Sequence, residues 1–177
     1  MKDDSNCKGI EGGGMCMAAT KYIVFRLNDQ KYSMKLIKIN GIEYVYHVVP
    51  VPMGPACIKG IIHLRDEVIP VFALKRLFGM PEGETETQLL ITETHGMKLA
   101  IEVDTVLGIV NVEEEDIKQI PMVVHTEETG YLEDVVKLTL PESDEDEIVI
   151  SIAVDTLMSE HEFGQVEDAL EKEMSGK

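Results

Sequence analysis

Short runs of β-branched and aromatic residues, each closed by turn-forming residues, recur at close intervals along this chain, and that spacing points to a mainly β fold. In the first pair, Ile23, Phe25 and Leu27 alternate with Tyr22, Val24 and Arg26, Asn28-Asp29-Gln30 make the turn, and Tyr32, Met34 and Leu36 alternate with Ser33 and Lys35. Period-two alternation on both sides of a polar turn is the pattern of a β-hairpin. Further runs follow at 45–51, 58–64, 68–71, 88–92, 97–103, 106–110, 135–140 and 148–152. Arg65-Asp66-Glu67, His95-Gly96 and the acidic stretch 141–147 carry the turn chemistry that joins neighbouring strands. About ten short strands of this kind form a barrel or a sandwich. Helix is expected near 73–77, at 113–119 and from about residue 154 onward.

A weak internal repeat suggests how the strands are grouped. The block 60–64, turn, 68–71, Leu74 resembles 134–138, a longer acidic turn, 148–152, Leu157, each reading as strand, turn, strand, short helix. Two β subdomains meeting near 79–88 are expected, because Gly79-Met80-Pro81-Glu82-Gly83-Glu84 breaks the pattern there. Residues 1–19 are polar, contain Gly12-Gly13-Gly14 and lack periodicity, so they are expected to form a disordered tail. The folded domain then covers 20–160. The segment 161–177 is a helical tail with Phe163, Val166, Ala169, Leu170 and Met174 on one face, expected to dock on its own barrel.

Composition excludes several functions. A net charge of −17 opposes nucleic-acid binding, which depends on Lys and Arg releasing counterions from phosphates. No apolar stretch has the length of a membrane span or a signal peptide, so no direct membrane insertion is expected. Cys7, Cys16 and Cys57 leave an odd thiol and form no CxxC pair, which fits a reducing, cytoplasmic setting. Cys57, between Ala56 and Ile58, reads as a small buried hydrophobe. His47, His63, His95, His125 and His161 have no metal-ligand spacing. No serine lies in a G-x-S-x-G elbow, and the glycine triplet has no preceding strand and no following Gly-Lys-Ser/Thr. The chain reads as a non-enzyme with no cofactor and no metal.

The strings YIVFRLNDQKYSMKLIKINGI (22–42), PVPMGPACIKGIIHLRDEVIPVFALKRLFG (50–79) and LAIEVDTVLGIV (99–110) resemble the CheW family of chemotaxis coupling proteins. Within them, Pro55 with Lys59-Gly60, Leu64-Arg65 with Ile69-Pro70-Val71, Val103-Asp104 with Val106, and further on Tyr131-Leu132, are similar to the family's short motifs. The resemblance implies two intertwined SH3-like five-stranded β-barrel subdomains with a C-terminal helix and no enzymatic activity. It implies two partners, the regulatory domain of a CheA-type histidine kinase and the cytoplasmic tip of chemoreceptors, and so a place beside membrane-bound receptor arrays. The protein-binding residues it implies are Ile37, Ile39, Gly41, Gly60, Arg65, Asp66, Val103 and Val106. Gly41 stands where the family usually has a glutamate able to pair with Arg65, and Asp66 where it has a glycine. Two alternatives stay open: a CheW-like module that binds a kinase without touching receptors, and a small enzyme assembled from scattered Asp, Glu and His.

Overall fold

The structure is a computed structural model that describes residues 19–44, 46–50, 56–83, 86–121, 123, 130–141 and 143–175, with side chains in the last helix described through Lys172. Its strands are β1 (Thr20–Leu27), β2 (Gln30–Lys35), β3 (Ile39–Glu43), β4 (Ile58–Leu64), β5 (Glu67–Ala73), β6 (Gln88–Thr94), β7 (Met97–Val103), β8 (Thr105–Val112), β9 (Ile117–Gln119), β10 (Leu132–Thr139) and β11 (Asp146–Ile152). Among the described residues two α-helices join them, α1 (Leu74–Leu77) and α2 (Glu160–Ser175). The strands make a six-stranded sheet, β8-β1-β2-β11-β10-β9, and a five-stranded sheet, β3-β6-β7-β5-β4.

The two sheets share one plan. In the second, the hairpin β4-β5 joins the hairpin β6-β7 through a parallel β5–β7 seam, and β3 flanks β6. In the first, the hairpin β10-β11 joins β1-β2 through a parallel β11–β2 seam, and β8 flanks β1. The six-stranded sheet is thus a circular permutation of the five-stranded one with β9 added, its first hairpin supplied from the N-terminal end of the described chain. The expected pair of SH3-like subdomains is present, and the internal repeat marks equivalent hairpins.

The sheet boundaries differ from the expected ones. Residues 79–83 run inside the five-stranded sheet between β5 and β6, and the chain changes sheet at the 3₁₀ turn Leu36–Lys38 and again at Asp104. The strand expected at 45–51 is reduced, in its described part, to one bridge between Val49 and Ile61 with both hydrogen bonds at 2.8 Å. The helix expected at 113–119 is a single 3₁₀ turn, Glu114–Asp116, followed by β9; three adjacent acids repel one another, and Ile117 pairs with Val136 instead. Most of the tail at 1–19 lies outside the described residues.

Strand β1 explains the packing. Tyr22 and Val24 face the interior of the six-stranded sheet with Val110, Val136 and Val149, whereas Ile23, Phe25 and Leu27 face the other way. These three meet Phe72, Leu90, Leu99 and Ile101 of the five-stranded sheet in a core that both sheets share. Both faces of one strand are therefore buried, which is why its sequence is a continuous apolar run as well as an alternating one. Ile62, Ile69, Val71, Leu89 and Ile91 form a third cluster inside the five-stranded sheet. Helix α2 starts with a capping box, in which the Ser159 amide donates to Glu162 Oε2 at 2.8 Å and the Glu162 amide to Ser159 Oγ at 3.2 Å. Its Phe163 and Val166 enter the shared core and Leu170 packs against it, so the helix docks on its own barrel.

The β4-β5 turn has positive φ at both central residues, 50° at Arg65 and 71° at Asp66, the backbone a two-residue type I′ hairpin requires. Left-handed backbone at a non-glycine residue costs roughly 1 kcal/mol. Asp66→Gly is therefore expected to raise stability by about 0.5–1 kcal/mol, read as a higher denaturation midpoint. Gly60 has the opposite requirement, since an added Cβ would overlap the Val49 carbonyl oxygen and lie 2.7 Å from Val48 Cγ1. Gly60→Ala is expected to cost about 1–3 kcal/mol in the same measurement, because the 48–49 segment must lift off β4.

Candidate functional site

The change of sheet after β2 forces the chain into the tight turn Leu36–Lys38. Leu36 and, just beyond the turn, Ile39 pack against the shared core, and this leaves Ile37 pointing outward with 85% of its surface exposed. Lys38 Nζ lies 2.9 Å from Asp155 Oδ2, Thr94 Oγ1 donates to Asp155 Oδ1 at 2.7 Å, and His95 Nε2 is 3.0 Å from the Asp155 carbonyl. Asp155 thereby ties the crossover to the β6-β7 turn and to the 3₁₀ turn before α2. The Thr94 hydrogen bond, and after it Lys38, hold its carboxyl below the usual carboxylate range.

A small groove of about 70 Å³ lies nearby, lined by Asn40, Gly41, Glu43, Leu64 and Arg65 among others. Gly41 brings no carboxylate, yet Glu43, two residues along the same strand face, places Oε2 at 3.8 Å from the Arg65 guanidinium. The carboxylate that faces Arg65 here comes from Glu43. Arg65 stays largely exposed, and Asp66 is exposed beside it.

Ile37, Ile39, Gly41, Arg65 and Asp66 thus lie on or beside the crossover and the turn. Gly60, Val103 and Val106 are placed differently. Gly60 is buried under residues 48–49, and Val103 is buried in the shared core. Val106 is half-buried against the same core, its amide donating to Gln88 Oε1 at 2.8 Å. Gly60 and Val103 shape the fold without offering surface to a partner.

Sequence reasoning missed a buried ion pair at the other end of the first hairpin. Asp104, at the second change of sheet, lies with Oδ1 2.7 Å from Lys75 Nζ of α1, and Oδ2 accepts the Asn28 amide at 2.7 Å. Both charged side chains are about nine-tenths buried. Lys75, between the apolar Leu74 and the half-exposed Arg76 of α1, was the available signal. A row of rings, Phe25, Tyr32, Phe78 and Tyr131, crosses the same seam with centroids 5.1–6.3 Å apart.

A cleft of about 650 Å³ is lined by Tyr44, Tyr46, Lys59, Glu86, Glu102 and Asp104, with smaller polar groups between them. Lys59 Nζ sits 3.1 Å from both Glu102 oxygens, and the Tyr46 hydroxyl contacts Thr87 and donates to Glu102 at 3.2 Å. Burial pushes the Tyr46 phenol up to about 12, so it keeps its proton at neutral pH. The cleft lining contains no serine or cysteine. Cys57 stands half-buried against the shared core, and burial raises its thiol. Among the described residues no group of three His, Cys, Asp or Glu could hold a metal ion, and no helix is long and apolar enough to cross a membrane.

Two β-barrels closed on one core, with an exposed isoleucine turn beside an Arg–Glu groove, define a binding module. The chain belongs to the CheW-like domain family, whose model matches residues 21–162. Among its relatives, the chemotaxis protein CheW of Treponema pallidum is 28% identical over 121 residues, 65% of this chain and 71% of that protein. The CheW of Klebsiella aerogenes is 24% identical over 151 residues, 84% of this chain and 87% of that one. The crystal structure of the scaffolding protein TtCheW from Thermoanaerobacter tengcongensis superposes with a TM-score of 0.69 at 26% identity, covering 80% of this chain and 94% of that one.

Breaking the buried Lys75–Asp104 pair from one side strands a charge. Lys75→Met is expected to cost about 3–5 kcal/mol in denaturant unfolding, and Lys75→Met with Asp104→Leu to recover much of it. Asp155 gives a pH signature. Its folded pKa is depressed below the ordinary 3.8, so its contribution is present above about pH 4 and disappears as pH falls through the folded value. The melting-temperature gap between the parent protein and Asp155→Asn is expected to be widest near neutrality and to close in acid.

Proposed function

We propose that this protein is a non-catalytic chemotaxis adaptor that couples the regulatory domain of a CheA-type histidine kinase to the cytoplasmic tip of chemoreceptors, at a membrane-bound array in the cytoplasm. Family membership and the likeness to a scaffolding protein support the coupling role. The observation that carries the reading on this chain is the pairing of an exposed apolar anchor, Ile37, with the Arg65–Glu43 groove next to it. An apolar centre with a few anchoring polar groups is the anatomy of a protein-binding surface. A clamp of this kind changes kinase output by binding one arrangement of the array more tightly than another. Gly41 gives no reason to dismiss receptor docking, because Glu43 supplies the carboxylate. Asp66 occupies its turn at a cost in strain and stays exposed.

Ile37 and Arg65 are the positions to test, since Ile39→Asp would put a charge against the shared core and confuse binding with folding. Ile37→Asp and Arg65→Glu are each expected to weaken capture of a receptor cytoplasmic fragment or of the kinase regulatory domain by about tenfold, with an unchanged circular-dichroism spectrum. Full binding of both partners by both variants would refute the surface. A parent protein that captures the kinase domain and never the receptor fragment would establish the kinase-only role in its place.

A further inference from the structure

The cleft around Tyr44 and Glu102 lies at the start of β4, at the opposite end of that strand from Arg65, and the surface described above makes no use of it. At about 650 Å³ it has the size of a ligand site, and its inner wall is organised. Glu102, 91% buried as a side chain, is neutralised by Lys59, and Asp104 is neutralised from behind by Lys75. The two ion pairs, one of them with a half-exposed Lys59, leave a floor of near-zero net charge; Glu102 Oε2 already meets Lys59, Tyr46 and Thr87, while Oε1 meets Lys59 alone among the described residues. The rim differs: Glu86 is exposed, and Tyr44, in the same lining, leaves 61% of its surface open to solvent. An exposed aromatic ring and an exposed carboxylate in the lining of one cleft, with Glu102 Oε1 keeping acceptor capacity in the floor, suit a planar cation that donates hydrogen bonds and stacks. A guanidinium meets each of those demands, and its aliphatic stem finds Val48 in the wall.

We propose that this cleft receives an arginine side chain from a basic segment of a partner protein, the guanidinium stacking on Tyr44 beside Glu86 and donating toward the Glu102–Asp104 floor. The contact is additional to the Ile37–Arg65 surface and does not depend on it.

The test is a backbone NMR titration of the full chain with N-acetyl-arginine amide, and in parallel with the neutral citrulline analogue, at about 0.15 M salt to screen diffuse attraction. Shifts are expected to concentrate at Tyr44, Tyr46, Lys59 and Thr105 with the arginine compound and to be several-fold smaller with citrulline. Tyr44→Ala combined with Glu86→Gln, both at exposed positions, is expected to weaken the apparent affinity about tenfold. Glu86→Lys alone should produce a similar loss without touching a ring. The proposal is overturned if shifts spread evenly over the acidic stretches 113–116 and 143–147, or if both variants bind as the parent does. Spermidine that saturates the same residues at a tenth of the arginine concentration would also overturn it, assigning the cleft to a free polyamine.

Discussion

The apolar contact between Phe25, Leu27 and Met34 on one side and Phe72, Leu90, Leu99 and Ile101 on the other holds this molecule together as one body. Each fully buried side chain of this size contributes about 1.5–3 kcal/mol, so this layer outweighs the surface ion pairs, which contribute at most about 1 kcal/mol apiece. Neither barrel owns the layer. The first hairpin closes one sheet by hydrogen bonds while its outer face completes the core of the other. The Lys75–Asp104 pair adds little net energy beside this, since desolvating two charges roughly cancels their attraction. Its effect is one of register: it pins α1 to the point where the chain leaves the five-stranded sheet, and through the Asn28 amide it fixes the first hairpin turn as well.

The hairpins were legible in the sequence because alternation and turn residues are local properties. The strand 58–64 and the strand 97–103 have the extents their pattern implies. The grouping of strands was not legible, because the break at 79–88 looks like a domain boundary, and only pairing between distant strands shows it to be a loop within one sheet. The apolar run at 45–51 misled for a related reason. Of its described residues, Val49 makes one bridge to Ile61, and Val48 and Val49 lie over Gly60 of β4, so hydrophobicity there reports covering more than pairing.

The site was legible in part for the same cause. Ile37, Arg65 and Asp66, which the motif resemblance singled out, are each exposed by a local turn. Reading Gly41 as a lost carboxylate treated one position as irreplaceable, while strand geometry lets Glu43 reach the same guanidinium from the same face. The family resemblance implied Val103 and Gly60 as contact positions; in the fold Val103 is buried in the shared core and Gly60 lies under residues 48–49. The Lys75–Asp104 pair and the Lys59–Glu102 floor join residues far apart in the chain, and nothing in their local sequence announces either partner.

The permuted strand order has a bearing on how the protein is made. The five-stranded sheet is continuous from β3 to β7 and can close as soon as it leaves the ribosome. The hairpin β1-β2 emerges earlier, yet its parallel partner β11 is encoded more than a hundred positions later, with Ile150 opposite Tyr32. At synthesis rates of about 5–20 residues per second, the hairpin waits roughly 6–25 s for the rest of its own sheet. The shared core offers it a provisional berth during that interval, so the half that closes first shelters the strands that arrive before their partners.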